Sequence, residues 1–197
     1  MAKRLFDIFF SLVFILFFSP LFLIIMIFII AESQGGAFYR QVRVGKNNRD
    51  FKIFKFRTMR VGAEKGGLLT VGGRDPRVTR VGYYLRRYKL DELPQLFNVL
   101  LNDMSFVGPR PEVRRYVEMY NDEQKRVLLV KPGITDPASI SYIDENEILS
   151  KADDPEATYI KEVMPAKLAI NLAYLNRRSF FTDLGVLFQT AQKIIIR

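Results

Sequence analysis

Leu90-Asp91-Glu92-Leu93-Pro94-Gln95-Leu96-Phe97-Asn98-Val99-Leu100 is the stretch on which the organisation of the chain turns. Leu93, Leu96, Phe97 and Leu100 recur at i, i+3, i+4 and i+7, the spacing of one buried helix face. Pro94 fits a helix only near its start, where a missing amide hydrogen has no partner to lose. The spacing therefore predicts a helix beginning around Asp91 or Glu92, with both carboxylates at its N-terminus. That end carries a partial positive charge, which keeps a carboxylate ionised and attracts phosphate. Arg86, Arg87 and Lys89 stand just upstream. Acid pairs at helix starts often serve only as caps. Beneath three cations, this pair also suits chemistry on a phosphorylated substrate.

Composition narrows that chemistry. The 197 residues suffice for one domain with a core and an appendage. The net charge of +9 implies an anionic partner: nucleic acid, an acidic membrane surface or a phosphorylated ligand. Cysteine and histidine are both absent from the chain, which excludes thiolate and imidazole metal sites, Cys nucleophiles and His general bases. Catalysis must then use carboxylates, Lys, Arg, Tyr or hydroxyls. A metal would be bound by oxygen, which points to Mg2+. Without disulfides, the composition fits a cytosolic face.

Residues 5–30 carry a single charge, Asp7. At about 1.5 Å per residue such a run just crosses a bilayer core of about 30 Å as a helix. Ser19-Pro20 interrupts it, and Pro20 is expected to bend or break the helix, leaving two halves each too short to span. A cleaved signal peptide is disfavoured, since no small-x-small site precedes Glu32. A kinked transmembrane helix and a re-entrant hairpin remain. Lys3 and Arg4 precede the run, and a heavier basic cluster, Arg40 to Arg60, follows it. The positive-inside rule puts the large domain in the cytoplasm, and a hairpin keeps both basic flanks there. The reading favours the hairpin, with an anchor over residues 1–31 and a cytosolic, membrane-associated domain over 32–197.

Ala37 to Arg43 and Phe51 to Met59 read as two strands of a hairpin around a turn at Gly45-Lys46-Asn47-Asn48. On period two Lys55 and Arg57 share a face, about 7 Å apart, as a solvated edge or a pair of phosphate ligands. Interleaved aromatics and basics also suit nucleic acid. Residues 61–77, rich in glycine, read as a mobile surface loop without a phosphate role. A short basic helix over 78–88 presents cations suited to lipid headgroups. Arg110 lies between Pro109 and Pro111, so its backbone is stiffened and its planar fork is set for a phosphate. Pro111 opens a helix with Val113, Tyr116, Val117 and Tyr120 on one side. Lys131-Pro132-Gly133-Ile134-Thr135 reads as a type II turn with Gly133 at the positive-φ position. Residues 136–154 read as irregular. Asp154-Pro155 starts a helix to about Met164, Pro165 starts another, and Thr182-Asp183 starts the last.

Taken together, the Ser19-Pro20 break, Phe51 to Met59, Asp75 to Arg80, Leu90 to Leu96, Asp103 to Pro111 and Lys131 to Thr135 resemble one family in the expected order. This is the family of bacterial sugar transferases, the monotopic polyprenyl-phosphate phosphoglycosyl transferases, and the likeness covers about residues 3–192. The chain looks like the short, catalytic-unit form. The resemblance implies an α+β, mostly helical fold: a re-entrant broken helix, a small domain with a short β-hairpin, and amphipathic surface helices. It implies transfer of sugar-1-phosphate from a UDP-sugar to undecaprenyl phosphate, with UMP released, at the cytoplasmic face of the inner membrane. Asp91 falls on the family's nucleophile and Glu92 on the second acid, which helps place Mg2+. Lys55 and Arg110 fall on basic site residues, Asp183 on a polar site position, and Ser19 and Pro20 on the helix-breaking pair. With Arg57 and Arg86 these make the expected substrate-binding set. The expected partners are the UDP-sugar, undecaprenyl phosphate, membrane phospholipid and, as an option, a second copy in a homodimer. The sequence departs from the family after Thr135, where Asp136-Pro137-Ala138-Ser139-Ile140 stands in place of a glycine followed by Gln or Asn. The competing reading is a non-enzymatic basic membrane-anchored protein binding acidic lipid or nucleic acid. Such a binder gains nothing from Asp91 and Glu92, and no nucleic-acid partner is expected.

Overall fold

A computed structural model of the chain describes residues 2–63 and 75–195. Most of the glycine-rich loop expected over 61–77 lies outside the described residues. The fold is mostly helical with two small sheets.

It opens with α1 (Ala2–Glu32), one helix of 31 residues whose most apolar window has a mean hydropathy of 3.1. Leu5, Phe9, Leu16, Phe17, Leu23, Ile27 and Phe28 are each more than half exposed. By length and composition this helix can cross a membrane. The break expected at Ser19-Pro20 does not interrupt it, because Pro20 lies inside the helix. The Leu16 carbonyl, deprived of an amide partner by Pro20, accepts the Ser19 hydroxyl at 2.8 Å.

Both ends of α1 are tied to the rest of the chain. Near its start, Lys3 donates to the Val107 carbonyl at 3.1 Å and pairs with Asp183. Arg4 caps the carbonyls of Val99 and Leu100 at 2.6 and 3.0 Å. Asp7, the lone charge of the apolar run, is buried and accepts from the Ser105 hydroxyl at 3.1 Å and the Phe106 amide at 3.3 Å. At the other end the Glu32 carboxylate takes the amides of Arg80 and Val81 at 2.6 and 2.9 Å. Between the ends, Phe22, Ile25 and Ile29 pack with Phe56 and Leu85.

The expected hairpin is present as β1 (Phe38–Val44) and β2 (Asp50–Phe56), antiparallel from Phe38 opposite Phe56 to Val44 opposite Asp50. Asn47 and Asn48 take left-handed φ of 57° and 61° in its turn, a region asparagine tolerates. β2 ends at Phe56, three residues short of the expected Met59, so Arg57 lies just beyond it. Helix α2 (Arg80–Arg87) follows, capped by the Thr79 hydroxyl accepting from the Gly82 amide at 2.9 Å.

The central stretch differs in detail from its expected form. Leu90–Glu92 is a 3-10 turn, and α3 (Gln95–Leu100) begins only after Pro94. The acid pair thus precedes the α-helix by most of a turn. A six-residue helix offers it little dipole, so its charge must be stabilised by side chains instead. Leu93 and Phe97 pack toward Phe22, while Leu96 and Val99 enter a second cluster with Ile53, Met104, Phe106 and Val186.

β3 (Ser105–Val107) pairs in parallel with β4 (Gly133–Thr135). Gly133 therefore lies in a strand and not at a positive-φ turn position. Its glycine is required by close approach: a Cβ there would sit 2.2 Å from the Gly108 amide nitrogen and 2.5 Å from its carbonyl oxygen. Between these strands α4 (Arg114–Val117) buries Val113, Tyr116, Val117 and Tyr120 in a third cluster with Leu149, Val163 and Leu168.

Residues 136–154, expected to be irregular, hold two short helices, α5 (Pro137–Ser141) and α6 (Glu145–Ser150). Asp136 is fully buried and caps α5, accepting from the Ala138 and Ser139 amides at 3.0 and 3.1 Å. α7 (Pro155–Thr158) runs through a π turn at Tyr159–Val163 into α8 (Met164–Asn176). Pro165 therefore does not start a separate helix; the wider π turn accommodates its missing amide. The chain closes with α9 (Phe180–Ile195).

Candidate active site

Lys55, the penultimate residue of β2, is placed by α3. The Asn98 amide accepts from the Phe54 amide and donates to the Lys52 carbonyl, both at 2.8 Å. It thus acts as a surrogate strand partner along the open edge of β2. From this position the Lys55 ammonium reaches Glu92 Oε1 at 2.9 Å. Arg110, clamped by its two prolines, meets the same carboxylate as a fork, Nη2 toward Oε1 and Nη1 to Oε2 at 3.1 Å. The turn that presents the acids starts at Lys89, whose φ of 58° is left-handed. Such backbone strain in a non-glycine residue collects at functional sites.

The two acids differ in character. Burial works against an ionised Glu92, but Arg110 and Lys55 outweigh it and hold its carboxyl well below the usual range. Asp91 is also buried, and burial pushes its carboxyl up, with Lys55 opposing. Its carboxylate makes no hydrogen bond or ion pair with another described residue. Lys55 is lowered by burial against the pull of Glu92, and Arg86 is lowered by burial against Asp91. Glu92 is therefore a clamped charge, whereas Asp91 is an uncommitted carboxylate among cations.

These side chains line a polar cavity of about 270 Å³ that also takes in Arg43, Glu112, Tyr142, Glu145 and Lys167. Beside it lies an apolar groove of about 680 Å³. Phe6, Phe10, Phe14 and Phe18 of α1, four apart and hence on one face, form one wall. Leu93, Leu96, Phe106, Ile134 and Leu187 are among the others. Polar cavity and apolar groove share Lys89, Glu92, Arg110, Ser139 and Ile143. They therefore meet at Glu92 and Arg110, with Asp91 on the polar side.

Of the expected site residues, Lys55, Arg86, Asp91, Glu92 and Arg110 come together in this cavity. Arg57 does not. Its guanidinium turns back to the Ser33 carbonyl at 2.8 Å and to that of Gln34, closing the C-terminal end of α1. Asp183 is also elsewhere: its buried carboxylate is held by Lys3 and the Tyr174 hydroxyl, fastening α9 to α1. Sequence reasoning missed Arg43, Glu112, Tyr159, Glu145 and Lys167. Arg43 bonds the Pro111 carbonyl at 3.2 Å and Glu112 at 3.0 Å, and Tyr159 donates its hydroxyl to Glu112. Glu112 directly follows the Arg110-Pro111 clamp, a usable signal. Glu145 and Lys167 lie 22 residues apart on separate helices and carry no local one.

Comparison with known proteins bears on this geometry. The profile of a family described as bacterial sugar transferase matches residues 1–197. The chain is 38% identical over 196 residues to a UDP-N-acetylgalactosamine-undecaprenyl-phosphate N-acetylgalactosaminephosphotransferase of Aeromonas hydrophila, covering 98% of this chain and 43% of that protein. It is 36% identical over 214 residues to the exopolysaccharide production protein ExoY of Rhizobium meliloti, covering 100% and 86%. It is 36% identical over 195 residues to a UDP-glucose:undecaprenyl-phosphate glucose-1-phosphate transferase of Klebsiella pneumoniae, covering 97% and 39%. The chain thus spans less than half the length of the Aeromonas and Klebsiella relatives.

Proposed function

The chain belongs to the bacterial sugar transferase family, and from that premise we propose that it transfers sugar-1-phosphate from a UDP-sugar to undecaprenyl phosphate through its Asp91 carboxylate. The observation that carries this reading is the meeting of the polar cavity and the apolar groove at Glu92 and Arg110. A water-soluble diphosphate and a prenyl chain have opposite solvation needs, and a two-substrate transfer must bring both to one phosphorus. The polar side suits the donor. The apolar groove, walled by α1, suits the acceptor's chain.

An Asp91 oxygen attacks the phosphorus that bears the sugar. The bond from that phosphorus to the bridging diphosphate oxygen breaks, and UMP departs with the electron pair. A phosphate oxygen of the acceptor then attacks the aspartyl-phosphosugar, the bond from phosphorus to Asp91 breaks, and the carboxylate is restored. A carboxylate is a weak nucleophile but needs no deprotonation, and two displacements let one site serve the substrates in turn. Lys55, Arg86 and Arg110 balance the charge that develops on UMP. Glu92, shared between Lys55 and Arg110, fixes where those two cations stand.

Asp91 and Glu92 would hold Mg2+ through their carboxylate oxygens, the hard donors that ion takes. Among the described residues no group of three acidic side chains gathers as a metal site. Bound at the acid pair, the ion would neutralise diphosphate charge.

The ties of α1 support a re-entrant placement. A spanning helix carries its two ends across about 30 Å of hydrocarbon. Here Lys3 and Glu32 both bond to the same body of chain. We read α1 as entering and leaving the inner membrane from the cytoplasmic face, its exposed apolar side in lipid.

Purified protein should release UMP from a UDP-sugar over many turnovers only when Mg2+ and polyprenyl phosphate are supplied, and no more than one equivalent without the acceptor. Asp91→Asn should abolish release, together with the sugar-phosphate adduct expected by intact mass on the parent enzyme. Full turnover by Asp91→Asn would remove the assigned nucleophile.

A further inference from the structure

The polar cavity holds two carboxylates besides the acid pair, Glu112 and Glu145. In a cavity otherwise furnished with cations for a diphosphate, a carboxylate repels phosphate, so each must be neutralised or must face something uncharged. Glu112 is fully committed, to Arg43 at 3.0 Å, to the Val113 amide at 2.7 Å and to the Tyr159 hydroxyl. Glu145 is not. At the first position of α6, it gives one oxygen to the Lys167 ammonium at 2.5 Å, and among the described residues its other oxygen has no hydrogen-bond partner. Lys167, on α8, makes that one bond among the described residues and stands 5.9 Å over the Tyr159 ring, so it retains spare protons. Both side chains are mostly buried, at 16% and 23% exposed. The pair therefore leaves one acceptor and spare donors, side by side, on the cavity wall.

That is the complement of a hydroxyl group, which donates to a carboxylate and accepts from an ammonium at once. Its net charge is zero, so it adds nothing to diphosphate binding. We propose that Glu145 and Lys167 form the hydroxyl-reading wall of the donor site and set which hexose the enzyme accepts. The proposal rests on the reading of a UDP-sugar donor. Hydroxyls at this wall come from the hexose ring, or else from the ribose. A site that hydrogen-bonds a hydroxyl discriminates strongly against donors that misplace it, because its polar groups are then left unpaired.

The test uses full-length Glu145→Gln and Lys167→Met, each checked for an unchanged melting temperature. It measures kcat/KM for UMP release with UDP-hexoses that differ only at C4 and with the matching 2'-deoxyuridine donors. Affinity for UDP is measured alongside. The expected result is a shift of at least tenfold in the ratio between the C4 epimers in both variants, with UDP affinity within about twofold of the parent. An unmoved epimer ratio overturns the proposal. If the ratio for the deoxyuridine donors moves in its place, the wall reads ribose and the hexose assignment falls. A uniform loss across all donors, with UDP affinity falling alike, makes the pair structural and also overturns it. Turnover of any UDP-hexose by the parent enzyme keeps the donor reading standing in each of these cases. Failure of the parent to bind or turn over every donor defeats that reading and this proposal together.

Discussion

Arg110→Lys separates charge from shape at the heart of the site. Arg110 meets Glu92 with two nitrogens at once, and its backbone is held by Pro109 and Pro111. Lysine retains the positive charge but offers a point donor on a flexible stem in place of a planar fork. When the fork engages a phosphate in the transition state, the substitution removes one charge-assisted hydrogen bond, about 1.5–3 kcal/mol. At about 1.4 kcal/mol per decade this is roughly a 10- to 150-fold loss in kcat/KM. Arg110→Ala goes further and leaves Glu92 with Lys55 alone. The loss in kcat/KM should therefore exceed that of Arg110→Lys. The assay is UMP release from a UDP-sugar with polyprenyl phosphate, with thermal melting as the control for folding. Arg110 is 35% exposed, so the Lys variant should melt close to the parent. Activity of Arg110→Lys within threefold of the parent would refute the reasoning, because the second donor would then contribute nothing.

Activity should follow a bell-shaped pH profile narrower than ordinary side chains give. Asp91 must be ionised and burial raises its pKa, so kcat/KM should climb with pH through a value above the ordinary 3.8. Lys55 must be charged and burial lowers its pKa, so the rate should fall through a value below the ordinary 10.5; an acid limb at or below 3.8 would contradict the burial of Asp91. Gly133→Ala would drive a methyl into the Gly108 backbone and push β3 from β4, at about 1–3 kcal/mol of overpacking. For a chain of this size that is a melting point roughly 2–12 °C lower, with activity falling too because Arg110 follows directly from β3. With no native cysteine, Ala2→Cys creates a unique thiol, which an impermeant reagent added outside intact cells should leave unlabelled; external labelling would mean that α1 spans.

What was legible in the sequence depended on short-range signals. The Leu93, Leu96 and Phe97 spacing, the Pro109-Arg110-Pro111 clamp and the period of the hairpin led to Lys55, Arg86, Asp91, Glu92 and Arg110, and the structure gathers all five. Arg57 lies apart from Lys55 because alternation places it on the same face only if the strand continues through residue 57. β2 stops at Phe56, after which the open carbonyls of α1 decide where the guanidinium goes. Gly133 shows the same limit: a Pro-Gly pair signals a turn, whereas the demand here is for contact between two strands distant in sequence. Asp136-Pro137, puzzling as a departure from the family pattern, is a buried cap and first-turn proline for α5. Glu145 and Lys167 could not be found, because nothing local announces a pairing between separate helices.

Lys3 and Asp183 close a loop of 180 residues. This tie can close only after the segments between them, which hold the other partners of α1 from Phe56 to Phe106, have been made. If the amino end were exported during synthesis, its partner could never find it. Deleting α1 to obtain a handier soluble enzyme would likewise strip Phe22, Ile25 and Ile29 from Phe56 and Leu85 and leave raw core behind. The apolar helix is therefore a wall of the core as well as an exposed apolar surface.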